Sequence, residues 1–342
     1  MSSRTVPTLA TPFAAPFIFV AALALGSALL ATGCATEEAE REKSLLEIYT
    51  NTAESYYQLR DHDRAIAQSM KALEIEPDNL KLQMILGWSL VRRGKTVDVL
   101  QAERIFRKIS DEDDFRAPLG LATALERQGV AYAEAAEAVE SGKRITDSAD
   151  PKQRGAELRA LGLERWNEAS TWFEKTLALQ KSDLDALNGL MRIDALLGKR
   201  ESSLARSAQL TESLGTDRAF WEERLKKAQV GEREEREIRR TVGQIIDIEV
   251  ATRMHAARME YELGRKDRAM VQLDTGIQLN PERADLHGLR AIVQRDLGNY
   301  DQAIADAERF IALSPQSFEG DDVKRAFDLI GACEAKRAQV NP

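Results

Sequence analysis

The sequence predicts an all-helical chain made by repeating one unit, and three observations carry that prediction. Charged residues make up 30% of the 342 positions, aromatics only 6%, and prolines number nine, a balance that favours helices over sheet. Short strings of residues recur at a constant interval of 34. Glycines and prolines fall at corresponding points of that interval, where helices are expected to turn or stop.

The interval is clearest in the C-terminal half. Leu263-Gly264-Arg265-Lys266-Asp267-Arg268-Ala269 recurs as Leu297-Gly298-Asn299-Tyr300-Asp301-Gln302-Ala303, and Leu279-Asn280-Pro281 recurs as Leu313-Ser314-Pro315. Tyr56, Arg64-Ala65, Ala72-Leu73 and Glu76-Pro77 repeat the same order near the start. Gly94, Gly198, Gly264 and Gly298 suit tight turns, because glycine reaches left-handed backbone angles without a Cβ penalty. Pro77, Pro281 and Pro315 are placed to end helices, since proline cannot continue the hydrogen-bond ladder.

This grammar resembles the tetratricopeptide repeat. The resemblance implies a right-handed superhelical solenoid of helix-turn-helix units, all-α, with a C-terminal capping helix. In five of the units a small residue on the first helix (Ala53, Gly87, Gly120, Ala257, Ala291) allows close packing on its neighbour. Ala65, Ala102, Ala169, Ala269 and Ala303 stand where the second helix crosses the first, and Phe106, Phe173 and Leu273 fill the pocket one turn later. Units are expected near 46–79, 80–112, 113–149, 150–183, 184–217, 250–283 and 284–317, the third and fourth degenerate. They group as an N-terminal array over 46–217 and two well-formed units over 250–317. Between these, 218–249 reads as a charged linking helix: Glu232 to Arg240 places opposite charges three and four apart, which stabilises a solvated helix. A docking surface, with Trp221 at its edge, is the other reading of that segment. Residues 318–342 form the cap and tail, with Val323, Phe327, Ile330 and Cys333 on the apolar stripe.

The first 33 residues carry a single charge, Arg4, ahead of the apolar run from Phe13 to Leu30. A basic start followed by an apolar segment is a secretory signal pattern and lies outside the fold. Leu29-Leu30-Ala31-Thr32-Gly33-Cys34 resembles a bacterial lipobox, with Ala31 where leucine is usual. The resemblance implies a signal peptide over 1–33, acylation of Cys34, an acidic tether over 34–45, and palmitate-type chains in the bilayer. An uncleaved transmembrane anchor and a cleaved, freely secreted product are the alternatives. Ala35 behind the cysteine implies outer-membrane rather than inner-membrane sorting, facing the periplasm. Removal of residues 1–33 leaves 47 basic against 56 acidic residues, a charge near −9, which argues against nucleic acid as a partner.

No catalytic residues, cofactor-binding residues or metal ligands are predicted, and no cofactor is implied. His62, His255 and His287 lack a metal-binding spacing and read as structural or surface residues, while Cys333 reads as a small buried hydrophobe. A non-enzymatic scaffold or adaptor that binds another protein is therefore expected; a self-associating envelope component is the alternative. The resemblance points to envelope adaptors that help assemble outer-membrane proteins, pili or secretins, or that recruit peptidoglycan enzymes. The inward face, phased from the repeat positions, presents Tyr57, Trp88, Arg92, Arg192, Met254, Arg258, Tyr261 and Arg295. Aromatic and arginine side chains are enriched among binding hot spots, and several arginines in one groove suit an extended peptide with carboxylates.

Overall fold

The computed structural model describes residues 40–110, 114–144, 150–227, 231–314 and 320–340, and these are helical throughout apart from short turns. The proposed acylation site Cys34, the signal segment 1–33 and the closing Pro315 lie outside the described residues. The described residues up to Arg93 and those from Gly94 onward form two compact bodies.

The N-terminal body holds α1 (40–58), α2 (His62–Ile75) and α3 (Leu80–Arg93). Ala53, Ala72, Leu82 and Ile85 form its buried centre, with Leu46, Tyr49, Tyr57 and Leu73 packed around them. The Asp61 side chain accepts from the Arg64 amide at the start of α2, and Asn79 does the same for Leu82 at the start of α3.

The C-terminal body holds ten helices among its described residues: α4 (Thr96–Ile109), α5 (Arg116–Glu140), α6 (Pro151–Leu179), α7 (Leu184–Leu196), α8 (Arg200–Lys226), α9 (Glu232–Glu262), α10 (Lys266–Leu279), α11 (Ala284–Leu297), α12 (Tyr300–Leu313) and α13 (Asp321–Val340). Each packs chiefly on the next in chain order, so burial is divided among small successive cores, as in a solenoid. Ala102, Ala169, Ala269 and Ala303 are fully buried at the helix crossings, and Phe106, Phe173 and Leu273 fill the adjoining space. Each fully buried side chain of that size contributes about 2–3 kcal/mol of apolar transfer.

One turn geometry recurs in both bodies. Gly94, Gly198, Gly264 and Gly298 all have positive φ, between 74° and 85°. Arg60 takes the same place in the first repeat at φ 60°. All five stand fourteen residues after the expected unit starts at 46, 80, 184, 250 and 284. After Gly198, Gly264 and Gly298, and after Arg60, the next amide reaches back to a carbonyl five residues earlier (Lys199 to Asp194, Arg265 to Glu260, Asn299 to Gln294, Asp61 to Tyr56). This is the Schellman closure, which satisfies carbonyls that the helix end leaves open.

The middle of the chain departs from the expected helix pairs. Within 113–149 and 150–183 the structure has one uninterrupted helix each, α5 and α6, folded against each other. Arg127 and Glu164 occupy the place held elsewhere by a left-handed residue, and both propagate a helix readily. Gly129 and Gly162 serve close approach instead. A Cβ on Gly129 would lie 2.3 Å from the Trp166 indole nitrogen, and one on Gly162 would lie 3.1 Å from the Gly129 carbonyl. Asp150 caps α6 ahead of Pro151, accepting from the amides of Lys152 and Gln153.

The charged segment over 218–249 is likewise not a separate helix. Its first part extends α8 and its second part opens α9, which runs without interruption into the next repeat. The two helices pack together, with Ile238 buried and ion pairs joining Arg218 to Glu249 at 3.3 Å and Arg224 to Glu234. The expected pairs four apart are present along α9: Arg233–Glu237, Arg236–Glu232 and Arg239–Glu235. In the cap, Val323, Ala326, Leu329 and Cys333 face α11 and α12, while Phe327 is 53% exposed. Ala326, one residue earlier, takes the inward place in that turn, so Phe327 falls outside the buried stripe.

Candidate partner-binding surface

Tyr57, Trp88 and Arg92 belong to the N-terminal body. Tyr57 is half-buried, packs on the core around Ala53 and meets the His62 ring at a centroid distance of 6.4 Å. Exposed Arg92 places its guanidinium 5.8 Å from the centre of the half-buried Trp88 ring. Burial, followed by the charges of Arg92 and Arg60, lowers the His62 pKa below its ordinary 6.5.

In the C-terminal body, Arg192, Met254 and Arg258 converge on one cleft of about 450 Å³ between α7 and α9. Met191, Ile248, Ala251 and Met254 make its apolar wall, Asp247 stands at its margin, and His255 lies within it. Arg192 is already engaged: its guanidinium makes two parallel hydrogen bonds, at 2.7 and 2.8 Å, to the buried carboxylate of Glu126 on α5. It also borders a neighbouring cleft of about 410 Å³ lined by α5 residues. Arg258, four residues beyond Met254 on α9, is exposed and makes no side-chain hydrogen bond or ion pair among the described residues.

Tyr261 and Arg295 sit apart from that cleft. The Tyr261 hydroxyl and the Arg295 guanidinium both donate to the Asp296 carboxylate, and Lys266 donates to the Asp296 carbonyl. Burial pushes Asp296 upward, and the bonds from Tyr261 and Arg295 outweigh it, holding the carboxyl below its usual range. This cluster ties α9 and α10 to α11. The arginines of the predicted face are therefore unequal: one stacks on Trp88, two are bound to carboxylates, and Arg258 remains available.

The sequence presents His255 as a structural or surface residue, and the structure places it beside the free arginine. Its Nε2 is 2.7 Å from Ser203 Oγ on α8, and Ser203 in turn donates to the Met191 carbonyl. That hydroxyl has only one proton, so Nε2–H donates to Ser203. Ser203 is fully buried, which makes the pair a packing contact between helices rather than an accessible nucleophile and base. Burial first, and then the charges of Arg258 and Arg192, lower the His255 pKa below 6.5. The signal for this pairing is in the sequence, because His255 and Arg258 share a helix face three residues apart.

Of the remaining residues singled out by sequence, His287 is buried between the Pro281 carbonyl at 3.0 Å and Asp306 at 3.4 Å. Asp306 itself is held by two hydrogen bonds from Arg290, whose third arm reaches Asp274. Burial pushes the Cys333 thiol up, as expected of an inert core cysteine. Trp221 packs against Leu187, Met191, Leu210, Leu214 and Ile245, so its indole serves the core more than a docking surface. Among the described residues no group of three or more metal-ligating side chains occurs, and no helix is long and apolar enough to cross a membrane.

Helix hairpins closed by a left-handed residue at a fixed place in a 34-residue interval define a helical-repeat protein. The family model described as tetratricopeptide repeat matches residues 46–79 and 284–317, so these two segments are similar to that repeat. No curated protein matches it. Among solved structures, a chain of the APC/C hetero-tetramer Cut9–Hcn1 aligns at 18% identity and a TM-score of 0.38, over 83% of this chain and 51% of that one. The present chain thus spans about half the length of that relative. A thermophilic tetratricopeptide protein of Thermus thermophilus aligns at 15% identity and 0.41, over 74% and 98% of the two chains. A tetratricopeptide protein of Parabacteroides merdae aligns at 15% and 0.36, over 84% and 99%.

Proposed function

We propose that this chain is a lipid-anchored scaffold of the cell envelope. Acylated Cys34 tethers it to the outer membrane on the periplasmic side, and its repeats hold a partner protein. Tetratricopeptide repeats present binding surfaces for protein partners, and the two matched segments support that role. The observation that carries the site is the α7–α9 cleft, where an apolar wall and an exposed, unpaired arginine are presented together. The lipobox-like run ending at Cys34 and the acidic residues behind it support the anchor. Each buried CH₂ of an acyl chain contributes about 0.8 kcal/mol, so several chains hold a protein stably.

Membrane fractionation with acyl labelling tests the anchor: Cys34→Ala is expected to release the protein to the soluble fraction or to stall its processing. Unchanged labelling and membrane retention contradict it. Light scattering on the chain lacking residues 1–34 separates a scaffold for another protein, expected as a monomer, from a self-associating component, expected as a defined oligomer.

A further inference from the structure

The α7–α9 cleft has a chemistry narrower than a general protein-binding surface. We propose that it binds an extended segment of the partner in which an acidic side chain stands beside an aliphatic one, with Arg258 pairing the carboxylate and the Met191–Ile248–Ala251–Met254 wall holding the aliphatic group. The proposal rests on the scaffold reading above and adds the site and the ligand class.

Charge and shape select that occupant. Arg192 is neutralised by Glu126, so it frames the cleft without competing for the ligand. Arg258 has no such partner among the described residues, and Ile248, which lines the same cleft, is 40% exposed. A cleft of about 450 Å³ is in the range that accommodates a few side chains rather than a whole helix. Asp247 stands at the margin near Arg283, where it disfavours a second acidic group on the ligand. Aliphatic contact supplies burial, and the ion pair supplies orientation.

His255 reports on occupancy. The groups facing it are Ser203 of α8, Arg192 of α7, and Arg258 and Glu262 of α9. A carboxylate on Arg258 offsets part of the positive field that opposes protonation of the imidazole. Binding therefore raises the His255 midpoint and takes up protons, and affinity rises as pH falls through that midpoint.

The test uses the full-length chain in detergent, labelled at methionine methyls and at histidine nitrogens, titrated with the capped pentapeptide Ala-Leu-Glu-Leu-Ala. Expected are saturable shifts at Met191 and Met254 with Met70 unmoved, and an upward move of the His255 midpoint. Arg258→Glu is expected to weaken binding by roughly tenfold or more, with Arg258→Lys retaining part of it. Because Arg258 holds no structural partner, an unchanged methyl spectrum without peptide shows that the variant is folded. Equal binding of the glutamine analogue, indifference to Arg258→Glu, a fixed His255 midpoint, or full reproduction by octanoate alone overturns the proposal. The scaffold reading fails separately: a photo-crosslinker at Met254 that captures no protein in the cell contradicts it even where the pentapeptide binds. Protein adducts without any pentapeptide response sink only the cleft chemistry.

Discussion

Gly120 on α5 shows how tightly one repeat is seated on the next. An alanine Cβ there would lie 2.4 Å from Phe106 Cζ and 2.6 Å from two further ring atoms. Phe106 is fully buried, so its ring has no free volume into which to withdraw. Gly120 lies within α5 and has no left-handed backbone, so alanine gains about 1 kcal/mol of helix preference. Overpacking a closed core costs about 1–3 kcal/mol, so the net effect of Gly120→Ala is a loss of up to about 2 kcal/mol. Gly215 on α8 is the matched control, because a Cβ there meets nothing within 4 Å. Gly215→Ala is expected to stabilise by up to about 1 kcal/mol. Thermal unfolding followed by circular dichroism reads the pair, at roughly 2–4 °C per kcal/mol for a body of this size. Phe106→Leu combined with Gly120→Ala should recover part of the loss, since the shorter side chain vacates the clash. A Gly120→Ala variant that gains as much stability as Gly215→Ala refutes the seating argument.

Other sites give independent expectations. Arg60→Gly should raise the melting temperature, because an L side chain at φ 60° costs about 1 kcal/mol that glycine avoids; a fall would show that the arginine side chain matters more than its backbone. Arg290→Ala strands the buried Asp306 carboxylate and should cost about 3 kcal/mol by denaturant unfolding, whereas loss under about 1 kcal/mol would show that His287 compensates alone. The depressed pKa of His255 means that the unfolded chain takes up its proton first on acidification. That contribution to stability is present above pH 6.5 and is lost as pH falls from 6.5 towards the folded-state value; His255→Gln should flatten the slope in that window.

The repeat architecture was legible because its punctuation is chemical. Glycine at 94, 198, 264 and 298 is what a left-handed closure needs, and each has that conformation. Arg60 shows the limit: the position requires a conformation, and an arginine can be held there by the Schellman bonds on either side. Gly129 on α5 answers a different need: without a Cβ it admits the Trp166 ring. The site was less legible than the fold. Phasing identifies which arginines share a face, but their availability depends on carboxylates remote in sequence. Glu126 is 66 residues from Arg192, and no local pattern joins them. Arg295 is engaged by Asp296 beside it, so Arg295→Glu should disturb packing as well as binding.

The claim that the repeats hold a protein partner through the face around Met254 is tested most directly by photo-crosslinking in the producing cell. A benzophenone amino acid is placed at Met254 in one strain and at Val271, exposed on α10, in another. The account predicts a discrete protein adduct from position 254 and none from position 271. No adduct at 254, or the same adducts from both positions, contradicts it.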